Sequence, residues 1–223
     1  TFMKQGDHIL ASSALFASST RIIKDFLPKW GIEYSFFDIN KPDTWEGQIQ
    51  SNTKMIFAET PSNPGLVLID LAFLCALGKR HNLLVNIDNC FATPYLQTPA
   101  QYGADIITHS ATKFIDGQGR VCGGVVLGSA TLMKEVRAFC RQTGPAMSPF
   151  NAWVLSKSLE TLHVRMDRHC ENALALAQWL ETHDEIEEVK YPFLPSHPQY
   201  ELAKKQMTQG GGVVTFIVKG GIE

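Results

Sequence analysis

A lysine and an aspartate lie close together in this chain, each near the end of a strand-like run. Lys113 follows the hydroxyl residues Ser110 and Thr112, and Asp88 ends the apolar run at residues 83–87. A lysine amine can condense with an aldehyde, and a carboxylate can keep a ring nitrogen protonated. Hydroxyl groups can hold a phosphate. These are the chemistries that a pyridoxal phosphate site requires.

The elements that would position these residues follow a βαβ rhythm. Short β-rich runs alternate with helical segments, which favours a mostly parallel sheet covered by helices on both faces. Helices are expected at residues 20–30 and 70–81, the second with Asp70 as its N-cap. Strands are expected at residues 8–11, 33–37, 54–58, 83–87, 105–108 and 124–127. Right-handed crossovers bring the strand ends to one edge, where such sheets bind ligands. Glu59, Asp88 and His109 lie at or just after such ends.

The rhythm changes after residue 148. Ser148 followed by Pro149 is typical of a helix start, and apolar residues then recur at helical spacing. The sequence predicts a cofactor domain at residues 1–148, a long interdomain helix at 149–183 and the start of a C-terminal α+β domain at 184–223, with its first strand at 213–218. The chain has no initial Met and stops just after a strand-like run, so it is expected to be a piece of a longer protein, with little catalysis by itself.

Composition sets limits on partners and location. Hydrophobic residues make up 44% and charged residues 19% of the 223 residues, as in ordinary globular proteins. A net charge of −2 without a basic run gives no electrostatic reason to expect nucleic acid or a membrane surface. The five scattered cysteines form no CxxC pair and the histidines show no metal-ligand spacing, so neither disulfides nor a metal are expected. A reducing cytoplasm fits this pattern.

Three segments resemble the signature segments of one enzyme family. Residues 59–64, 88–94 and 109–113 are similar to those of the Cys/Met-metabolism family of pyridoxal phosphate-dependent enzymes, and the resemblance covers nearly the whole chain in the family's order. It implies a fold type I, aspartate aminotransferase-like α/β domain with pyridoxal phosphate as cofactor. It also implies an amino-acid substrate and a homotetramer built from dimers with shared active sites.

Two further segments narrow the activity that the resemblance implies. Residues 115–120 and 144–153 most resemble the sulfhydrylases that act on O-succinyl-L-homoserine. Such a transferase converts O-succinyl-L-homoserine and sulfide to homocysteine and succinate, a γ-replacement in methionine biosynthesis. Sulfhydrylases that use O-acetylhomoserine, cystathionine γ-synthase, and the cystathionine and methionine γ-lyases are the nearest alternatives.

The resemblance also assigns roles to the candidate residues. Lys113 would form the Schiff base and then move protons, and Asp88 would pair with the ring nitrogen. Ser110 and Thr112 would bind the phosphate, with side chains pointing the same way if the segment is extended. Asn63 would lie beside the cofactor's phenolic oxygen and the substrate.

Phe16 falls where the family stacks an aromatic ring on the cofactor. Many relatives have tyrosine there, and its phenol can help to protonate a leaving group, which phenylalanine cannot do. Residues 17–18 are Ala and Ser where methionine γ-lyases have a characteristic cysteine. Both departures count against a lyase mechanism that uses those groups.

Each assignment has a plainer structural alternative. Asp88 could cap a turn, Ser110 and Thr112 could serve local turns, and Phe16 could pack in a core. A nucleotide-binding α/β domain or a non-catalytic module would share the βαβ rhythm. However, residues 117–123 miss the G-x-G-x-x-G spacing, and a non-catalytic module needs no cluster of reactive groups at strand ends.

Overall fold

A six-stranded sheet organises the computed structural model, which describes residues 1–221. The strand order is β2-β1-β3-β4-β5-β6, with β1 to β5 parallel and β6 antiparallel to β5. The mostly parallel α/β sheet predicted from the sequence is confirmed. Connections leave β1 and β3 in opposite directions, so the topological switch point lies between these two strands. The strands are β1 (His8–Ser12), β2 (Glu33–Phe37), β3 (Thr53–Glu59), β4 (Leu84–Asp88), β5 (Ile106–Ser110) and β6 (Gly124–Gly128).

Alternate residues of the inner strands are buried in two different cores. Leu10 of β1 and Ile56 of β3 pack in a cluster on one face, together with residues of helix α2 (Leu71–Arg80). Their neighbours Ile9 and Met55 pack in a second cluster on the other face. Burial on both faces explains why these strands read as apolar runs rather than as alternating patterns.

The two helices predicted in this region form with different regularity. The Asp70 side chain accepts the backbone N–H of Phe73 at 3.0 Å, so its predicted role as the N-cap of α2 is confirmed. The helix expected at residues 20–30 is divided into α1 (Ala17–Arg21), a π-helical turn (Ile22–Phe26) and a 3-10 turn (Leu27–Trp30). Pro28 lacks a backbone N–H, which accounts for the tightening at its end.

The prediction of one long helix at residues 149–183 is wrong. The structure has α5 (Pro149–Leu159) and α6 (Leu162–Glu181), separated by two residues. The Ser158 carbonyl near the end of α5 accepts the N–H of Thr161 at 3.2 Å and the Arg165 guanidinium at 2.9 Å. The boundaries of the two domains stay a prediction.

The remaining α-helices and strands lie in both parts of the chain. Helix α3 (Thr93–Leu96) follows β4, and α4 (Ala130–Thr143) follows β6; the C-terminal part has α7 (Tyr200–Gln206), β7 (Ile186–Lys190) and β8 (Thr215–Val218). Strands β7 and β8 pair antiparallel, and β8 falls within the strand predicted at 213–218. The last two residues of the predicted 184–223 segment lie outside the described residues. Within residues 1–221, no helix combines the length and apolar character needed to cross a membrane.

Candidate cofactor site

Three strand ends present one row of polar side chains. Glu59 of β3 is the register partner of Asp88 of β4, and Asp88 is the partner of Thr108 of β5. Residues directly paired in a parallel sheet face the same side, so the three side chains lie on one face at the carboxyl edge. Ser110 comes two residues after Thr108 and extends this row.

Asp88 is a partly buried carboxylate. Its Oδ1 accepts the backbone N–H of Cys90 at 3.0 Å. Burial raises the pKa of Asp88 to about 6, and the Cys90 hydrogen bond only partly opposes this effect. A cationic group beside this carboxylate would relieve the cost of its burial.

Glu59 connects two loops at the same edge. Its side chain is buried, and Oε2 accepts the backbone N–H of Phe16 at 2.6 Å. Burial raises the pKa of Glu59 to about 7; the N–H groups of Phe16 and Asn63 lower it, while the Asp88 charge raises it further. Residues 16 and 63 therefore meet at one carboxylate, a link that the sequence did not suggest. The only sequence signal was the position of Glu59 at a strand end.

Lys113 lies in a turn that begins where β5 ends. Its backbone N–H donates to the Ser110 carbonyl at 3.2 Å, and its own carbonyl accepts the N–H of Gly117 at 2.8 Å. The side chain is exposed. The turn is packed against α5, because Ala111 and Ile115 are buried in a cluster with residues of that helix.

The pKa of the Cys90 thiol is affected by the charged groups around it. Burial raises the pKa of Cys90 to about 11, Asp88 and Glu59 raise it further, and Lys113 lowers it. Its sulfur also contacts the Ser110 carbonyl at 3.7 Å. The structure thus brings the two carboxylates, Ser110 and the Lys113 amine into one neighbourhood.

The expectation that Ser110 and Thr112 share an extended segment is wrong. Strand β5 ends at Ser110, and Thr112 lies in the following turn. The Thr112 hydroxyl accepts the N–H of Gly123 at 3.0 Å and donates to the Gly123 carbonyl at 3.3 Å. The direction of the Thr112 side chain is therefore set by its hydrogen bonds to the Gly123 backbone and not by the alternation of a strand.

Arginines that the sequence reasoning did not single out fix the Lys113 turn. The Arg165 guanidinium of α6 donates to the carbonyls of Phe114 at 2.6 Å and Ile115 at 3.1 Å. Arg120 donates to the buried Asp116 carboxylate through its backbone N–H at 2.7 Å and its Nε at 3.1 Å. These charge-assisted bonds hold the backbone that follows Lys113.

Phe16 and Asn63 lie on the two loops that Glu59 joins. Phe16 follows β1 and caps the start of α1, and 44% of it is exposed. Asn63 is partly buried in the loop after β3. Both loops flank the switch point between β1 and β3, where a ligand of this fold is expected.

The floor of the site, next to Asp88, is formed by the buried side-chain amides of Asn89 and Gln97. The buried Asn89 side chain donates to the carbonyls of Thr93 at 3.0 Å and Gln97 at 2.9 Å, and it accepts the Gln97 amide at 2.8 Å. The side-chain oxygen of Gln97, Oε1, in turn accepts the side-chain amide of Gln206 on α7 at 3.1 Å. A chain of three amides, Asn89–Gln97–Gln206, therefore reaches from the site to the C-terminal part.

The residues present fit pyridoxal phosphate. Within residues 1–221, the partly buried Asp88 forms no ion pair, and a protonated pyridine ring would supply its cationic partner. The Lys113 amine is exposed at the same edge, and the Ser110 hydroxyl lies between them along the chain. A large cavity lined by Ile39, Trp45 and His197 lies away from these groups and plays no part in this arrangement.

Comparisons with known proteins agree with this geometry. The profile of the Cys/Met metabolism PLP-dependent enzymes matches residues 1–223. An O-succinylhomoserine sulfhydrylase of Pseudomonas aeruginosa is 49% identical, over 97% of this chain and 54% of its own length. An L-methionine gamma-lyase of Porphyromonas gingivalis is 42% identical, over 99% of this chain and 56% of its own. The chain spans about half the length of these relatives.

A solved structure gives the same result for the fold. Cystathionine gamma-lyase from Lactobacillus plantarum, complexed with L-serine, superposes with a TM-score of 0.95 at 32% identity, over 98% of this chain and 57% of that one. The fold is that of a fold type I pyridoxal phosphate-dependent enzyme. The chain belongs to the Cys/Met metabolism family of these enzymes, and its cofactor is pyridoxal phosphate.

Proposed function

We propose that the protein containing this chain exchanges the succinyl ester of O-succinyl-L-homoserine for sulfide, giving homocysteine and succinate. The observation that carries the proposal is the gathering of Asp88, Ser110 and Lys113 at one sheet edge in a chain of this family. The choice of ester rests on 49% identity to an O-succinylhomoserine sulfhydrylase and on the resemblance of residues 115–120 and 144–153.

Pyridoxal phosphate, when bound, supplies an aldehyde for a primary amine and a protonated ring that withdraws electrons from the bound substrate. The Lys113 amine would hold the cofactor until the substrate's amine takes its place. The freed amine would remove the Cα proton, pass it to the bound cofactor and then, neutral again, remove a Cβ proton, so that succinate can leave from Cγ as its anion. After hydrosulfide adds at Cγ, the Lys113 ammonium would return its proton to Cβ, and the amine would then carry the stored proton back to Cα. One mobile side chain near several carbons can serve each transfer.

The other residues bind and orient. Asp88 would keep the ring nitrogen protonated, and Ser110 and Thr112 would donate to the phosphate. To do so, the Thr112 hydroxyl would give up its 3.3 Å bond to the Gly123 carbonyl but could keep accepting the Gly123 N–H. Phe16 would hold the cofactor ring with its aromatic side chain, and Asn63 would donate to the phenolic oxygen.

Phe16 also bears on the alternatives. A ring without a hydroxyl cannot donate a proton to a leaving thiolate, whereas a carboxylate such as succinate leaves without one. A sulfhydrylase reaction therefore demands less of this position than a γ-lyase reaction. A methionine γ-lyase remains the second candidate because such an enzyme is 42% identical.

The substrate test uses the intact protein. O-succinyl- and O-acetyl-L-homoserine are each supplied with sulfide or with cysteine, and methionine is supplied alone. We expect homocysteine to form fastest from the succinyl ester and sulfide. Faster release of methanethiol from methionine would overturn the proposal in favour of a lyase, and cystathionine as the main product would favour a synthase.

The lysine test is independent of the substrate. After borohydride reduction of the intact protein with pyridoxal phosphate, mass spectrometry is expected to find the label on Lys113. Lys113→Ala should lose the label and nearly all turnover, because only a primary amine can form the reducible link. Lys79→Ala, which removes an exposed lysine at the end of α2, is the control and should keep both. A label on another lysine would overturn the assignment.

We further propose that the protein works in methionine biosynthesis in the cytoplasm as a homotetramer of dimers that share active sites. The family and the scattered free cysteines support this proposal. Sedimentation of the intact protein measures the assembly; a monomer with full turnover would contradict shared sites.

A further inference from the structure

We propose that Glu59 is a positioning residue that sets the distance between the two walls of the cofactor crevice, Phe16 on one side and Asn63 on the other. The inference rests on the proposed function, because it concerns how the same crevice is held for the cofactor. Glu59 itself does not need to touch the cofactor.

The first support is geometric. The Phe16 N–H donates to Glu59 Oε2 at 2.6 Å, across 43 positions of sequence. The Asn63 N–H lies near the same carboxylate and lowers its pKa. The loops that carry these two residues leave β1 and β3, the strands on either side of the switch point. One carboxylate thus binds the first loop by its backbone and lies beside the backbone of the second where the crevice opens.

The second support is that a carboxylate is costly here and a neutral residue would be cheaper. Glu59 is 4% exposed and lies in register with Asp88, so it adds a second negative charge to a buried row. Surface carboxylates avoid this cost, and buried ones need compensating hydrogen bonds. The Phe16 N–H donor and the nearby Asn63 N–H provide that compensation only while both loops stay in place.

The charge state of the Glu59 carboxyl group decides how well it can accept hydrogen bonds from the two loops. An ionised carboxylate can accept at both oxygens, whereas a protonated one, like an amide, has a donor in one of the two places. Burial, opposed by the two N–H groups and reinforced by Asp88, puts the pKa of Glu59 at about 7. The other titratable groups of this neighbourhood are Asp88 and Cys90 at the end of β4, and Lys113 beyond β5.

The experiment compares the intact protein with Glu59→Gln, which keeps the shape but leaves a single acceptor. We expect the dissociation constant of pyridoxal phosphate at pH 8 to rise about tenfold, the effect of losing one hydrogen bond to a charged group. The visible absorption of the bound cofactor should shift, since the Phe16 ring and Asn63 no longer keep their places. The difference in affinity should shrink below pH 7, where Glu59 itself carries a proton.

Controls separate positioning from folding. Far-UV circular dichroism and thermal melting without cofactor should show that Glu59→Gln folds. Glu46→Gln removes an exposed carboxylate paired with Arg80 and His81, and it should leave affinity and spectrum unchanged. If Glu59→Gln does not fold, Glu59→Asp serves instead: it keeps the charge, shortens the reach, and should weaken affinity at every pH.

The outcomes also separate this inference from the proposed function. Unchanged affinity and spectrum in a folded Glu59 variant, with the borohydride label still on Lys113, would overturn the positioning role alone. A label on a different lysine would overturn the site, and the positioning role with it.

Discussion

A single carboxylate at the end of β4 shows how one side chain can favour function over stability. Asp88 is partly buried, and one N–H is its recorded hydrogen-bond donor within residues 1–221. Its raised pKa, about 6, means that the folded chain without cofactor resists the charged form. The Asp88 charge that the proposed pairing with a pyridine ring requires therefore lowers the stability of the folded chain when no cofactor is bound.

This burden predicts a pH dependence. A carboxyl group whose pKa is raised on folding stabilises the fold fully below its unfolded pKa, near 3.8, and loses that contribution as the pH rises through about 6. Asp88→Asn removes the charge and keeps an oxygen for the Cys90 N–H. Without cofactor, we expect the variant to gain about 2 kcal/mol relative to the parent between pH 4 and pH 8. Urea unfolding at the two pH values measures this; an equal difference at both would contradict it.

The same substitution should act in the opposite direction on catalysis. In the intact protein with pyridoxal phosphate and substrate, Asp88→Asn should lower kcat by about a hundredfold or more, since a neutral amide does not hold the ring proton. Cofactor can still bind through Lys113. A turnover number equal to that of the parent would exclude the ring-nitrogen role.

At the scale of elements, the strands were the most predictable part. Apolar runs such as those of β3 and β4 were placed within two residues, because burial on both faces leaves an unbroken signal. Strand β7 was missed because Glu187 and Glu188 make it polar and its pairing leaves it largely exposed. Helix α4 was also missed, although Ser129 caps its start and Gly144 follows its end. Leu132, Val136 and Phe139 also recur at helical spacing, so the sequence carried a signal for this helix that the prediction did not use.

The site was predictable where chemistry followed strand ends and unpredictable where it depended on turns. Lys113, Asp88 and Ser110 were picked out by type and position. The direction of Thr112, the break between α5 and α6, and the role of Glu59 depend on hydrogen bonds between residues far apart in sequence. No local pattern encodes a bond such as that of Arg165 to Phe114, 51 positions away.

Helix α2 gives an element-scale prediction because it approaches β4 without a side chain at Gly78. A Cβ there would lie 2.2 Å from Val85 Cγ2. Gly78→Ala gains about 1 kcal/mol of helix propensity, but overpacking costs more, so we expect a net loss of about 1–2 kcal/mol in urea unfolding. Adding Val85→Ala makes room, and the double variant should be more stable than the sum of the two single losses predicts. Strict additivity would show that the contact relaxes without cost.

At the scale of the whole molecule, two groups of contacts join the sheet to the C-terminal part. One is an apolar cluster in which Leu96 of α3, Met166 of α6 and Ala203 of α7 are buried. The other is the amide chain Asn89–Gln97–Gln206, extended by the Gln206 amide to the Ile69 carbonyl at 3.0 Å. Each of these amides is buried, so each lost partner leaves an unsatisfied group.

Replacing Gln206, the last residue of the amide chain, should increase the local opening of the site floor, although Gln206 itself lies on α7. Gln206→Met keeps the volume but leaves the Gln97 oxygen and the Leu71 N–H without their partner. We expect a loss of about 2 kcal/mol and faster hydrogen exchange in peptides spanning residues 86–97 as well as in α7. Gln178→Met, at an exposed position of α6, is the matched control. Faster exchange confined to α7 would contradict the link.

The amide chain has no titratable member, while the pKa of Glu59 is about 7 and that of Asp88 about 6, so both change charge close to neutral pH. The site is therefore stabilised by two sets of interactions: those of the carboxylates depend on pH, and those of the amide chain do not. A change of pH can loosen the crevice walls at Phe16 and Asn63, yet the floor at Asn89 keeps its attachment to α7. Acidification should then empty the site of cofactor well before it separates the two parts of the molecule, leaving a compact form that can be loaded again when the pH is restored.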